Sequence, residues 1–420
     1  VAVLLVAAPD AHPAQPPAAP ASSPDAPIAF IDTSIENASP LWYERDAEGV
    51  YHVHLLYDHE RNAPNRAAGH IHFRMVGTPG ARVTIEFRNL DNVWNGRHGS
   101  VAAELKTVAI SPDGHSWTTV PTDALPGSRV RVTLTMPGDT LYLARMQPYR
   151  LSELESLLSS IRTHPRVAIT PIGKTVAGRP LEIVRIGRDD APRRVFLRAR
   201  AHPWEAGSSW VVHGLIERLL QDDASTRALL EKYVVYVLPM ANKDGVALGR
   251  TRFNLLGKDL NRNWDAPADA ALAPENAALE HWLEGLIAAG RAPDLALEMH
   301  NDGRGLLHIS RPPVAHLAGY LERMARLESI LRTRTWFTEG HTDGAFRNSG
   351  TLGDGWLERY GIDALVHELN ANWIEGRRSY TSSAHWRAYG ASLADVFGDY
   401  FSADERGGRE AYNRPMGARR

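Results

Sequence analysis

The chain has 420 residues, 43% of them hydrophobic and 23% charged, with a formal net charge of -2. So even a balance provides no electrostatic footprint for nucleic acid or an anionic membrane surface, and no nucleic-acid partner is expected. Cysteine is absent, which excludes disulfide frameworks, thiolate ligands and a cysteine nucleophile, and leaves imidazole and carboxylate as the metal donors.

The chain opens on "VAVLLVAAPDAHPAQ", an apolar run followed by small residues. This resembles the hydrophobic and cleavage regions of a secretory signal peptide, although the basic leading region is missing. The continuation to residue 27 is rich in Pro, Ala and Ser, and reads as a linker. Residues 1–27 are thus expected to be a signal-peptide-like segment and linker. Export to a periplasmic or extracellular space is the corresponding expectation, with the cytoplasm as the alternative. Nothing approaches the ~20 consecutive apolar residues of a membrane span, so no stable membrane insertion is expected.

From 28 to 148 apolar and polar residues alternate with period two, as in "YHVHLLYD", "ARVTIEFRNL" and "SRVRVTLTM", punctuated by turn signals such as "SPDGHSW". This predicts a small antiparallel β-sandwich domain, with its many His and Arg residues mostly on a solvated face. "YRLSELESLLSSIRTHP" (149–165) has helical spacing and ends in Pro, marking a bridging helix. Strand-like and helix-like segments then alternate through 149–403. That pattern predicts an α/β domain with a mixed central sheet and helices on both faces. Residues 404–420 read as a disordered basic tail.

In open α/β sheets, ligands gather at the carboxyl ends of strands. His202 and Glu205 of "HPWE" follow one predicted strand, His300 a second, and Glu368 closes a third; the loop after a fourth carries Arg252, Asn261 and Arg262. By itself "HPWE" reads as a polar turn rather than a metal site, because so short a motif occurs by chance. Taken together, two His and one carboxylate make a three-ligand zinc site with an open position for water. Glu368 suits proton transfer from that water. Arg252 is placed to face an oxyanion, and Arg262 with Asn261 to hold a substrate carboxylate. Local readings accompany these: Asn242 of "NKDG" bonds within its turn, Trp264 is a packing anchor, His281 and Trp282 pack from a helix, and His213 is a satisfied core or boundary histidine.

"HPWE", "NKDGVALGRTRFNLLGKDLNRNW", a His after a strand and the Glu of "VHELN" resemble the zinc carboxypeptidase family. The resemblance is nearest to its cytosolic-carboxypeptidase branch, which carries a β-sandwich before the catalytic domain, and "FRNLDNVWNG" and "GKTVAGRPLEIVRIG" resemble that leader and its junction. It spans roughly residues 40–400. It implies one Zn2+ per chain on His202, Glu205 and His300, with Arg252 as the oxyanion Arg, Asn261 and Arg262 as the carboxylate-binding pair, and Glu368 as general base or acid. Two departures stand out. Phe346 occupies the place where many members carry a substrate-binding Tyr, and a Phe has no hydroxyl to donate. "MHNDGRGLLHIS" differs from the branch after the third ligand, which brings Arg304, His308, His341 and Arg347 forward as pocket candidates, each of which also reads as an ordinary surface or structural residue.

The resulting expectation is a metallocarboxypeptidase acting on peptide or protein C-termini at peptide or isopeptide bonds. The alternatives on the same scaffold are a murein-peptide amidohydrolase and a small-molecule deacylase. A further alternative is a non-catalytic module that binds chain ends. Oligomeric state and side-chain preference are not written in these motifs.

Overall fold

The computed structural model describes residues 26–61, 65–94, 96–342 and 350–404. The signal-like run and nearly all of the expected linker, the tail from 405, and Phe346 and Arg347 lie outside the described residues. Among the described residues no helix is long and apolar enough to cross a membrane.

The N-terminal region is strand-rich. One five-stranded sheet runs Ile28–Asp32, His72–Gly77, Thr140–Ala144, Thr107–Ser111, Thr118–Pro121; the other runs Asp123–Leu125, Arg129–Thr135, Arg82–Arg88, Tyr51–Leu55, Leu41–Arg45. Alternate residues of both sheets, among them Phe73 and Met75 from one and Ile85 and Phe87 from the other, share one buried core. Pairings within these two sheets are antiparallel, as expected, except that Tyr51–Leu55 lies parallel to Arg82–Arg88. The chain between them crosses to the opposite sheet through His72–Gly77, so it returns in the direction it left.

The helix expected to bridge the two parts spans Leu151–Ile161, with Leu154, Leu157, Leu158 and Ile161 buried. Beyond it lies a seven-stranded mixed sheet, ordered Val167–Lys174, Pro180–Ile186, Tyr233–Leu238, Arg193–Ala199, Leu295–Asp302, Asp363–Asn370, Leu307–Ile309. Four of its five inner strands, all but Pro180–Ile186, are parallel to one another. Odd-numbered residues such as Val195, Leu197 and Leu297 face the helices Ala206–Leu220, Leu317–Arg334 and Ser383–Asp404. Even-numbered Phe196, Tyr236 and Ala296 face the helices Pro274–Ala288 and Leu352–Tyr360. Two apolar layers on one sheet explain why these strands read as nearly continuous hydrophobic runs. Helices Ala206–Leu220 and Ser383–Asp404 cross where only glycine fits. A Cβ at Gly214 would lie 2.1 Å from the Arg387 carbonyl oxygen, and one at Gly390 1.8 Å from that of Val211.

The expectation of a solvated His and Arg face fails for the residues turned toward this second part. His70, His72 and Arg145 are 8%, 1% and 4% exposed. Alternation carries polar side chains to one face of a sheet, but whether that face meets water depends on what packs on it. Here they share a small cavity with Arg200, Pro203 and Trp204. His70 and His72 both donate to the Asn37 carbonyl oxygen, at 2.9 and 3.2 Å. Of the packing expectations, Trp264 is buried and Trp282 packs on Phe196 and Tyr236, while His281 stays exposed on the opposite side of its helix.

Burial pulls the His72 imidazole down to about 4, with Arg150 assisting and the Asn37 bond and Glu153 opposing. An imidazole kept neutral in the fold but free to protonate in the unfolded chain contributes stability that is complete above pH 6.5 and lost as pH falls toward 4. His72→Gln keeps a donor for Asn37 and removes the titration. Denaturant unfolding at pH 7 and pH 4.5 should therefore show the wild type losing about 2 kcal/mol more than the variant; equal losses would refute the assignment.

Candidate metal centre

The site begins with a forced turn. After the strand Arg193–Ala199, Arg200 takes a left-handed φ of 59°, a conformation costing a non-glycine residue of order 1 kcal/mol or more. Two bonds hold it, from Nη1 to the Tyr149 carbonyl oxygen at 2.9 Å and from Nη2 to that of Pro203 at 2.6 Å. The reversal brings His202 and Glu205 back under the strand ends, with Glu205 immediately ahead of the helix Ala206–Leu220. His300 and Glu368 sit side by side on adjacent parallel strands as Cα partners. Both lie within their strands, since this ladder continues to the pairing of Asp302 with Asn370. They had been expected just past one strand and at the end of the other.

His202 Nδ1 lies 2.8 Å from Glu205 Oε1, and His300 Nδ1 lies 2.6 Å from Glu205 Oε2. His202, Glu205 and His300 together offer three ligand atoms within 4.8 Å of one another, and all three residues are buried. The other nitrogen of each ring meets a further carboxylate: His202 Nε2 is 3.0 Å from Asp259 and His300 Nε2 is 3.1 Å from Glu298. Imidazoles that donate Nε2–H to carboxylates present Nδ1 lone pairs inward, the arrangement of metal-ligating histidines. Lone pairs facing a carboxylate repel, so a cation belongs between them. Burial alone would lower the His300 pKa, yet the charge and hydrogen bond of Glu205, with Glu298 behind, push it up to about 10. Two imidazoles and a carboxylate so arranged are a donor set that fits a zinc ion.

Cations flank the centre. Arg198 Nε donates to Glu298 at 2.6 Å, and Arg252 Nε to Asp259 at 2.8 Å. Arg252 also stacks 4.8 Å over the Trp94 ring. The structure thus ties Arg252 to an acidic partner that the sequence reading did not include. Asn261 accepts Leu352 N–H at 3.0 Å through Oδ1, and its amide nitrogen lies 3.0 Å from His300 Nε2. Its side chain therefore lies against the metal centre, while Arg262 beside it has a buried Nε with no partner among the described residues. Asn242 caps its short helix through Gly245 N–H, as read from "NKDG".

Glu368 Oε2 is likewise buried without a partner among the described residues. Burial first, then the charges of Asp302, Glu205 and Glu104, against the pull of His300, raise its carboxyl well above the ordinary range. Of the other pocket candidates, His308 Nε2 reaches within 3.8 Å of Glu368, Arg304 is exposed, and His341 pairs with Glu328 at 2.5 Å.

The N-terminal region contributes directly. Trp204, inside "HPWE", is buried in the core of the two N-terminal sheets. The Arg145 guanidinium lies 3.4 Å over its ring, and the Trp204 indole donates to Glu205 at 3.1 Å. Asp58 accepts the backbone N–H groups of Thr251, Arg252 and Phe253 at 2.9, 2.6 and 3.0 Å. Sequence reasoning missed Asp58, Trp94, Asp259 and Glu298. Only Glu298, two residues before His300 and so on the same strand face, left a signal in the pattern.

Residues 154–283 match the family model for zinc carboxypeptidase. Cytosolic carboxypeptidase 2 of Danio rerio is 37% identical over 145 residues, covering 31% of this chain and 20% of that protein. Cytosolic carboxypeptidase 6 of Caenorhabditis elegans is 34% identical over 140 residues, covering 32% of this chain and 30% of that one. The chain thus spans less than a third of the length of these relatives. A metallo-carboxypeptidase from Burkholderia cenocepacia shares the fold, with a TM-score of 0.76 at 21% identity over 89% of this chain and 99% of that one. One from Pseudomonas aeruginosa gives 0.72 at 22% identity over 89% and 100%.

Asp259 orients His202 and neutralises Arg252 at once. Asp259→Asn keeps the size of the side chain and removes the charge. It should weaken zinc affinity by about 10- to 100-fold, read by competition with a chelating dye; unchanged affinity would show that Asp259 does not support the ligand.

Proposed function

We propose that this chain, whose residues 154–283 match the family model for zinc carboxypeptidase, hydrolyses the C-terminal peptide or isopeptide bond of a peptide or protein. The observation that carries this reading is the convergence of His202, Glu205 and His300 beside a Glu368 carboxylate oxygen that has no partner among the described residues, on the neighbouring strand. A zinc ion held by those three residues would supply Lewis acidity toward the scissile carbonyl and an acidified water.

The protein's own groups do the rest. Glu368 takes the proton from the attacking water and returns it to the leaving nitrogen, a role suited to a carboxyl whose affinity for a proton is raised by burial and acidic neighbours. Arg252, held by Asp259 and Trp94, faces the oxygen on which negative charge develops. Arg262, whose buried Nε has no partner among the described residues, binds the terminal carboxylate, with Asn261 beside it. In this reading residues 28–148 form a sandwich domain that supports the catalytic domain of residues 149–403.

Glu368→Gln should lower turnover by about 10² to 10⁴ while zinc content is unchanged; full activity with zinc retained would remove the proton-transfer role. Mass spectrometry of free and amidated peptide libraries tests the chain-end requirement. Stepwise trimming of the free peptides alone is expected. Equal cleavage of both sets would instead favour an amidohydrolase acting on murein peptides or acylated small molecules.

A further inference from the structure

One residue of the turn that carries two of the metal-centre donors belongs to a different core. Trp204 stands between His202 and Glu205 in the chain. Its ring is nevertheless buried among the N-terminal strands, against Gly69, where a Cβ would run into it. The seat is fastened from both sides. Thr251 Oγ1 accepts the N–H groups of Gly69 and His70 at 3.2 Å each, and the Thr251 carbonyl oxygen accepts that of Trp204 at 3.4 Å. From this seat the indole N–H donates to Glu205 Oε1 at 3.1 Å.

Arg145 covers the face of that ring at 3.4 Å. Its backbone N–H donates to the Ile71 carbonyl oxygen at 2.8 Å. None of its three guanidinium nitrogens has a hydrogen-bond partner among the described residues, and the Glu104 carboxylate stands 3.7 Å away. A buried guanidinium with so few bonds is costly, and attraction to an aromatic face is strongest where both are desolvated. The charge on the ring also polarises the indole and strengthens its N–H as a donor. In a metal-filled centre the Nδ1 atoms of His202 and His300 serve the ion, and the indole remains as the donor that orients Glu205.

We propose that Trp204 and Arg145 are positioning residues for the metal centre: the cation-capped indole holds Glu205 in its ligating orientation, so the N-terminal region sets how firmly metal is retained. This rests on the reading of His202, Glu205 and His300 as the ligands. Arg145 acts through Trp204, and Trp204 acts through Glu205. The effects of the two residues on metal binding are therefore coupled, which simple core packing does not require.

Zinc affinity of the full chain, measured by competition with a chelating dye, tests this. Trp204→Phe keeps an aromatic face under Arg145 and removes the N–H, and affinity should fall about 10-fold. Arg145→Met removes the cation and should lose about 3-fold or more, while Arg145→Lys, which keeps a cation on the ring, should recover most of that loss. In the Trp204→Phe background Arg145→Met should cause no further loss, because the N–H through which it acts is gone. Unchanged affinity in either single variant, a loss in Arg145→Met that Lys does not recover, or additive losses in the double variant would each overturn the proposal. His300→Ala separates the two readings. Weakened binding there, with unchanged binding in Trp204→Phe and Arg145→Met, leaves the ligand assignment standing and removes this one; binding indifferent to His300→Ala removes both.

Discussion

A carboxylate buried between two imidazole nitrogens is the constraint around which the rest of this molecule is arranged. Glu205 is 4% exposed and its oxygens face Nδ1 of His202 and of His300. An ionised carboxylate so removed from water carries a desolvation cost of several kcal/mol unless positive charge compensates it. The compensation is organised in sequence through the interior: Arg198 to Glu298 to His300 on one side, Arg252 to Asp259 to His202 on the other, with Glu205 in the middle. Each imidazole is thereby held between two carboxylates, which sets its ring orientation and leaves the centre short of a cation. The arrangement is poor as plain stabilisation, because apolar residues of equal volume would avoid the desolvation. It is reasonable where a metal ion is the intended neutraliser.

The same constraint explains why the two parts of the chain are interlocked. The turn carrying His202 and Glu205 exposes a tryptophan between them, and Trp204 is buried by the N-terminal core and by the Arg145 guanidinium. The loop carrying Arg252 has three successive backbone N–H groups to satisfy, and Asp58 accepts all three. Buried backbone donors without acceptors cost about 1–3 kcal/mol each. The N-terminal sheets are thus part of the frame of the centre, well beyond their own core.

Much of this was legible in the chain. Strand periodicity and the α/β alternation follow from which residues must be buried on one face or two, and both are local patterns. That His202, Glu205 and His300 come together, with Glu368 on the next strand, was legible because polar residues toward the carboxyl ends of neighbouring parallel strands converge. Partners across long separations were not legible. Asp58 lies 194 residues from Arg252, and nothing in "LLYDHE" marks its carboxylate as an acceptor for a distant loop. The polar alternation that brings out His70, His72 and Arg145 has the same appearance whether the face meets water or another layer, so the reading placed them in solvent. Asp259 was missed for a different reason: the argument stopped at the groups that would touch metal or substrate, whereas ring orientation is decided one bond further out.

Seen from the network, Glu368 differs in kind from the three residues beside it. Glu205, Asp259 and Glu298 each have donors or cations on both oxygens or on the neighbouring ring, so their charge is absorbed by the structure. Glu368 has one oxygen with no partner among the described residues, on a strand bonded to the strand of His300. A buried acceptor left open is costly, and folds retain such groups chiefly where a ligand or a reacting proton completes them. Within a site whose other carboxylates are all committed, the uncommitted one is where proton chemistry has room to occur.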